Sequence, residues 1–264
     1  MINVPIEFRP HHPFDYPPNN VQTFEEWLPT QYIPESDRTY LSVFWTSYYC
    51  KHKYGKDAKK MRDLQAFINS LDKTKKYWTI CQYDDSILNS LNNIDIHIYG
   101  MGGGRIDSPL PLICQPHPYE FKVGRTVFAS FLGANNHPIR REVLALKSND
   151  YQVSSAKIDI KDYCELMAKS IFSLCPRGYG LSSFRICEAL QYGSIPIYIS
   201  DQFIIPFGLD FSEFGVLIKQ GEDINKVLRD IPLCDIKKKQ EAGKRIYQEY
   251  YTYEGCYKNL IKSL

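Results

Sequence analysis

The chain has 264 residues, 44% apolar and 23% charged, enough apolar material for a sizeable core in one large domain or two small ones. A formal net charge of +2 gives no electrostatic support to a nucleic-acid or membrane-surface role, so neither partner is expected. No stretch approaches the roughly 18 apolar residues of a membrane span, and the opening MINVPIEFRPHHPFDYPPNN lacks the basic start and apolar run of a secretory leader.

Residues 1–38 read as an irregular lead-in holding a short helix at Thr23–Trp27, capped by Thr23. Tyr40–Tyr49 (YLSVFWTSYY) reads as a strand by its aromatic and β-branched content. Lys56–Leu71 sets Met61, Leu64, Phe67, Ile68 and Leu71 at helical spacing. Tyr77–Gln82 and Ile94–Tyr99 read as short strands, the second running into Gly100-Met101-Gly102-Gly103-Gly104-Arg105, and Pro111–Cys114 as a further strand. Beyond Arg125 the order is strand (Val127–Leu132), loop (Gly133–Pro138) and helix (Ile139–Lys147). Then come a helix at Asp162–Ala168, a strand at Ile171–Leu174, a helix at Ser182–Tyr192 ended by Gly193, and strands at Ile195–Ile199 and Val216–Ile218. A long charged helical region, Ile236–Leu260, closes the chain. Such alternation predicts an α/β protein of two Rossmann-like domains facing a cleft, 1–122 and 123–264, with the last helix able to pack back on the first domain. The eight cysteines show no CxxC pair, and several lie in apolar runs such as TICQY and LICQP. They read as reduced core residues of a cytosolic protein.

Pro176-Arg177-Gly178-Tyr179-Gly180 lies between two buried strand signals. Its glycines permit close approach of backbone to a ligand. Ser182 and Ser183 stand where they cap the next helix or meet phosphate oxygens, with Arg185 one turn in and Glu188 on the same face. A loop with a cation and a helix start suits a diphosphate, and a carboxylate one turn on suits ribose hydroxyls. The second loop, Gly133–Arg141, puts Arg140 and Arg141 at a helix start, against the dipole, a conflict that a bound anion removes. Neither loop matches GxGxxG or GxxxxGK[ST], which argues against a dehydrogenase, an epimerase or a P-loop NTPase. Gly102, after its strand, is a place for substrate to approach the backbone. Asp84 and Asp85 follow the strand YWTIC and serve either as helix caps or as a general base in the crevice. A DD pair is not a metal-binding DxD. His11 and His12 reach the cleft only if the N-terminal arm folds back.

With these residues in view, the chain resembles exostosin-like (GT47-type) glycosyltransferases. The matching pieces are Cys175–Gly178, Ser183-Phe184-Arg185, Glu188-Ala189-Leu190, Gly193–Ile197 and Pro206-Phe207. FLGANNHPIR at Phe131–Arg140, and less closely ICQYDDS and IHIYGMGG, extend the likeness over roughly residues 77–207. The resemblance implies a GT-B architecture, an acceptor-binding N-terminal domain and inverting transfer from a UDP-sugar to a glycan hydroxyl. It implies that Arg140 and Arg185 hold the diphosphate with Arg177 and Ser183 nearby, and that Glu188 binds the ribose; from the residues themselves, Gly133, Gly178, Tyr179 and Ser182 are expected beside the same ligand and Asp85 or Asp84 as the base. No metal and no cofactor are expected, because cations and helix dipoles stabilise the leaving diphosphate. The short chain without an anchor fits small soluble viral or bacterial members, a viral xylosyltransferase among them, and a cytoplasmic place (the host's, if viral). Xylose, glucuronic acid, galactose, arabinose and N-acetylglucosamine stay open as the sugar. The competing reading is a non-catalytic carbohydrate-binding protein that retains the nucleotide cleft.

Overall fold

The structure, a computed structural model, describes residues 2–13, 22–146 and 149–264. The expectations for residues 14–21 and for Lys147 lie outside them. In chain order the N-terminal part comprises α1 (Phe24–Trp27), β1 (Thr39–Tyr40), α2 (Trp45–Lys51), α3 (Ala58–Asn69), β2 (Lys76–Cys81), β3 (Asp95–Gly100) and β4 (Ser108–Pro109). The C-terminal part comprises β5 (Val127–Leu132), α4 (Pro138–Leu144), β6 (Tyr151–Ser154), α5 (Ile160–Lys169), β7 (Ser170–Pro176), α6 (Phe184–Gln191), β8 (Ile195–Ser200), β9 (Val216–Lys219), α7 (Ile224–Arg229), α8 (Leu233–Tyr250) and α9 (Tyr253–Ser263).

Two parallel sheets result. The first has the order β1-β2-β3-β4, the second β6-β5-β7-β8-β9. All six residues of β8 are buried, as befits a central parallel strand covered on both faces. In the second sheet the chain starts in the middle at β5, steps out to β6, then returns to the other side of β5 with β7. The strand order therefore reverses between β5 and β7, and ligands of open α/β sheets bind outside the carboxyl ends of the strands at such a point. The loops that leave those two ends are Gly133–His137 and Arg177–Ser183.

The carboxyl edges of the two sheets meet. Ser182 N–H donates to the Gly102 carbonyl (3.2 Å), and the Tyr179 hydroxyl donates to Asp85 Oδ2 (3.1 Å). This is the GT-B arrangement, two Rossmann-like sheets facing a cleft. Behind it runs one continuous core, with Trp78, Ile80, Tyr99 and Met101 from the first sheet and Cys175, Ile186, Leu190, Tyr198, Tyr247 and Tyr251 from the second part. α9 joins that core from the N-terminal side, where the Tyr253 ring meets Phe24 edge-on at 5.5 Å and its hydroxyl donates to the Gln22 carbonyl.

Three local expectations are corrected and one strand is added. Of Tyr40–Tyr49, only Tyr40 is strand, and Trp45 onward is helix. Trp45, Tyr48 and Tyr49 are buried at i, i+3, i+4 spacing, and the Glu25 carboxylate accepts from Thr46 N (2.9 Å), satisfying a helix-start N–H from twenty-one residues away. Pro111–Cys114 is buried but is not a strand: Pro109 and Pro111 lack the N–H that a ladder needs, and β4 ends at Pro109. The tail is two helices, because Thr252 accepts from Gly255 N (3.0 Å) and starts α9 anew. β6 is an additional edge strand, too short and polar to announce itself in the sequence. The cysteines are free, and among them only Cys234 is exposed.

Candidate active site

Two adjoining cavities fill the cleft. The one on the C-terminal side has a volume of about 370 Å³ and is lined by Gly133, Ala134, Asn136, Arg140, Gly178, Ser182, Ser183 and Arg185 among others. The one on the N-terminal side has about 650 Å³ and is lined by Thr46, Tyr54, Lys56, Gln82, Tyr83 and Asp85 among others. Asp84, Tyr179 and Phe184 line both.

The switch point builds the smaller cavity. Gly133 opens the loop after β5, His137 caps α4 by accepting from Ile139 N (3.3 Å), and Arg140 reaches back so that its Nε–H donates to the Arg177 carbonyl (3.1 Å). From the neighbouring strand, Ser183 caps α6 and Arg185 follows, 3% exposed. Its guanidinium donates to the Leu132 carbonyl and lies 4.6 Å from the centre of the Phe131 ring, on which Arg140 also converges at 6.0 Å. A cation over a desolvated aromatic face is held by about 2 kcal/mol. Two guanidiniums and the amino end of α6 thus border one small cavity, a setting for an anion.

The loop glycines are spaces for these groups. A Cβ on Gly178 would fall 2.9 Å from an Arg140 guanidinium nitrogen, and one on Gly180 would fall 2.3 Å from Asp84 Oδ1. Asp84 therefore approaches from the opposite sheet into room that only glycine leaves. Asp84 and Asp85 are the central residues of a turn closed by Ser86 N–H to the Tyr83 carbonyl (2.9 Å), with Ser86 in the left-handed region at φ 61°. No helix starts there, so neither Asp is a helix cap. Burial, and next the charge of Asp85, push the Asp84 carboxyl above the usual carboxylate range, partly offset by Arg140 and Arg177. Asp85 is exposed and carries the Tyr179 hydroxyl.

Three residues expected at the ligand line neither cavity. Arg177 does not line the cavity: its guanidinium pairs with Asp201 (2.6 Å) and donates to the Tyr179 carbonyl (2.9 Å), bracing the glycine loop from outside. Gly102 lies behind the Asp84 turn, packed on its backbone, and takes the Ser182 hydrogen bond. Glu188 is wholly buried one turn deeper than Arg185, where its carboxylate accepts from the Tyr163 hydroxyl (2.8 Å) and pairs with His117 Nε2 (3.0 Å). His11 pairs with Glu26 (3.1 Å), and neither His11 nor His12 lines the two cavities. Phe131, Tyr163 and His117 were not legible as site residues: Phe131 reads as one more apolar strand position, and the other two join Glu188 only through tertiary packing.

The Exostosin GT47 domain matches residues 100–231, half of the chain and all of the switch-point loops. The chain belongs to the Exostosin GT47 family. Among relatives, the Caenorhabditis elegans protein named Exostosin-1 homolog is 27% identical over 186 residues, covering 54% of this chain and 49% of its own length. An Arabidopsis thaliana protein named Probable glycosyltransferase is 34% identical over 133 residues, covering 48% of this chain and 27% of its own. This GT47 chain thus spans about half or less of the length of these relatives. Among solved structures, TarM aligns over 77% of this chain and 45% of its own, with TM-score 0.44 and 12% identity. Among the described residues no helix is long and apolar enough to cross a membrane.

Proposed function

We propose that the chain is an inverting glycosyltransferase that moves a sugar from a UDP-sugar to a glycan hydroxyl without a bound metal. The observation that carries this is the convergence of Arg140, Arg185 and the start of α6 on one cavity at the strand-order reversal, with Asp84 facing them from the other sheet. The diphosphate takes the smaller cavity, and the sugar on its β-phosphate points toward Asp84. An acceptor hydroxyl enters from the larger cavity. Asp84, common to both, removes its proton as the oxygen attacks the anomeric carbon from the face opposite the leaving UDP. The C–O bond to acceptor forms as the bond to phosphate oxygen breaks, inverting the centre. Arg140 and Arg185 meet the charge that develops on the departing diphosphate. Glu188 remains our candidate for the ribose hydroxyls, a role in which it exchanges Tyr163 or His117 for the sugar.

The test is thermal shift and calorimetry with UDP-, GDP- and CMP-sugars, with and without EDTA, followed by UDP release with acceptors. Stabilisation by UDP and one UDP-sugar, indifferent to EDTA, supports the reading and names the donor. No response to any nucleotide overturns it and leaves a glycan-binding protein.

A further inference from the structure

Proton removal by Asp84 requires its carboxylate to stay at the junction of the two cavities, and the contacts that keep it there come from both sheets. The Asp84-Asp85 turn lies between two runs of glycine. Behind it, a Cβ on Gly102 would fall 2.8 Å from Asp84 Cα, and one on Gly103 would fall 2.8 Å from the Asp84 carbonyl oxygen. Across the cleft, residues 179–182 meet the turn and its backing in step. Tyr179 bonds Asp85, Gly180 leaves room for Asp84, Leu181 N lies 3.4 Å from a Cβ placed on Gly103, and Ser182 N–H donates to the Gly102 carbonyl. Glycines on both sides permit this close approach but supply no side chain to hold it. Tyr179 supplies one. Its carbonyl accepts from Arg177 Nη2 (2.9 Å), which is itself paired with Asp201, and its hydroxyl donates to Asp85 Oδ2 (3.1 Å). The side chain between these two anchors is 67% exposed, so packing alone does not fix the ring. A hydrogen bond to a carboxylate is stronger than one between neutral groups. The Arg177 brace outside the cavity thus sets the root of a side chain that spans the cleft.

We propose that Tyr179 is a positioning residue for the transfer step: its hydroxyl, donated across the cleft to Asp85, clamps the Asp84-Asp85 turn against the glycine loop and thereby fixes Asp84 between donor and acceptor. The inference rests on the transferase reading and adds a residue to it. With the clamp closed, Asp84 stays shielded from water and beside the Asp85 charge. Facing it too are Tyr83 on its own turn, Cys81 from β2, Cys50 from α2, Arg140 from α4 and Arg177 from the loop after β7. Arg140 and Arg177 keep their own anchors when the clamp opens, whereas the shielding and the nearness of Asp85 are lost. Opening therefore brings the Asp84 carboxyl down toward the ordinary carboxylate range.

The experiment measures kcat, kcat/KM against pH and calorimetric UDP affinity for the parent, Tyr179→Phe, Asp85→Ala and the double variant. Turnover is read as UDP release from the UDP-sugar that stabilises the parent, with a panel of oligosaccharide acceptors. Phe keeps the ring and removes only the hydroxyl, and the exposed position lets the variant fold, which a melting curve checks. The expected result is a kcat about five-fold lower in each single variant and no lower in the double, because one clamp cannot be broken twice. In Tyr179→Phe the acid limb of kcat/KM moves to lower pH, and UDP affinity stays that of the parent. A hydroxyl that merely stabilised the loop would lower the melting temperature and leave kcat and the acid limb in place. That outcome overturns the proposal, as do single effects that multiply in the double variant. A parent that binds no UDP removes the donor site itself and the role of Tyr179 with it, whereas a parent that turns over alongside an unaltered Tyr179→Phe removes the clamp alone.

Discussion

Arg185 reaches its cavity from the first turn of α6, against the Leu132 carbonyl and the Phe131 ring. Loss of one such charge-assisted contact to a leaving diphosphate costs roughly 2–4 kcal/mol of transition-state stabilisation. Arg185→Ala should therefore lower kcat by about 30-fold or more while the circular dichroism spectrum stays native. Unchanged turnover in a folded variant removes Arg185 from the mechanism. The two carboxylates separate by position. Asp84 lines both cavities, and Asp85 holds a tyrosine. Asp84→Asn should cost about 100-fold in kcat, the scale of a general base, and Asp85→Asn less than about ten-fold, measured by UDP release. The reverse ranking makes Asp85 the base. Because a base must be ionised and the Asp84 carboxyl sits above its usual range, kcat/KM should fall with acidification sooner than an ordinary carboxylate would dictate. Asp84→Asn should flatten that acid limb.

Among the helices, α6 bears most directly on the site. Its cap is Ser183, one of the residues lining the smaller cavity. Ser183→Ala should cost about 1 kcal/mol of stability, read by urea unfolding, and also weaken UDP binding, since one oxygen serves the helix start that faces the ligand. Stability loss with unaltered UDP affinity would confine Ser183 to capping. β5, β7, α6 and β8 were legible in the sequence because buried parallel strands leave continuous apolar runs and α6 has a cap, a periodic face and a terminal glycine. α2 was not. Its aromatic residues favour a strand locally, and the group that supports the helix start, Glu25, is remote in sequence.

One buried core joins the two sheets, and Glu25 lies on its N-terminal flank with consequences for the entire fold. Complete burial raises its carboxyl from 4.5 to about 7, outweighing hydrogen bonds from Thr46 and Gln82. The unfolded chain then releases this proton at lower pH than the folded one, so the associated stability is present below pH 4.5 and is lost as pH rises to about 7. The whole span amounts to about 3 kcal/mol. Melting curves from pH 5 to 8 should show a component that declines with pH and that Glu25→Gln abolishes; a variant with the parent's full pH slope assigns it to another group. Periodicity, glycine placement and the PRG-to-PF run were enough to read the α/β class, the two-sheet cleft and the family likeness, because each is written in neighbouring residues. The distribution of roles came from packing between distant segments. Arg177 is drawn outward by Asp201, Glu188 is enclosed by His117 and Tyr163, and Asp84 rather than Asp85 enters the space beside Gly180. Those outcomes depend on which charges the folded chain shields from water and which it leaves at the cleft, and local sequence carries no record of that.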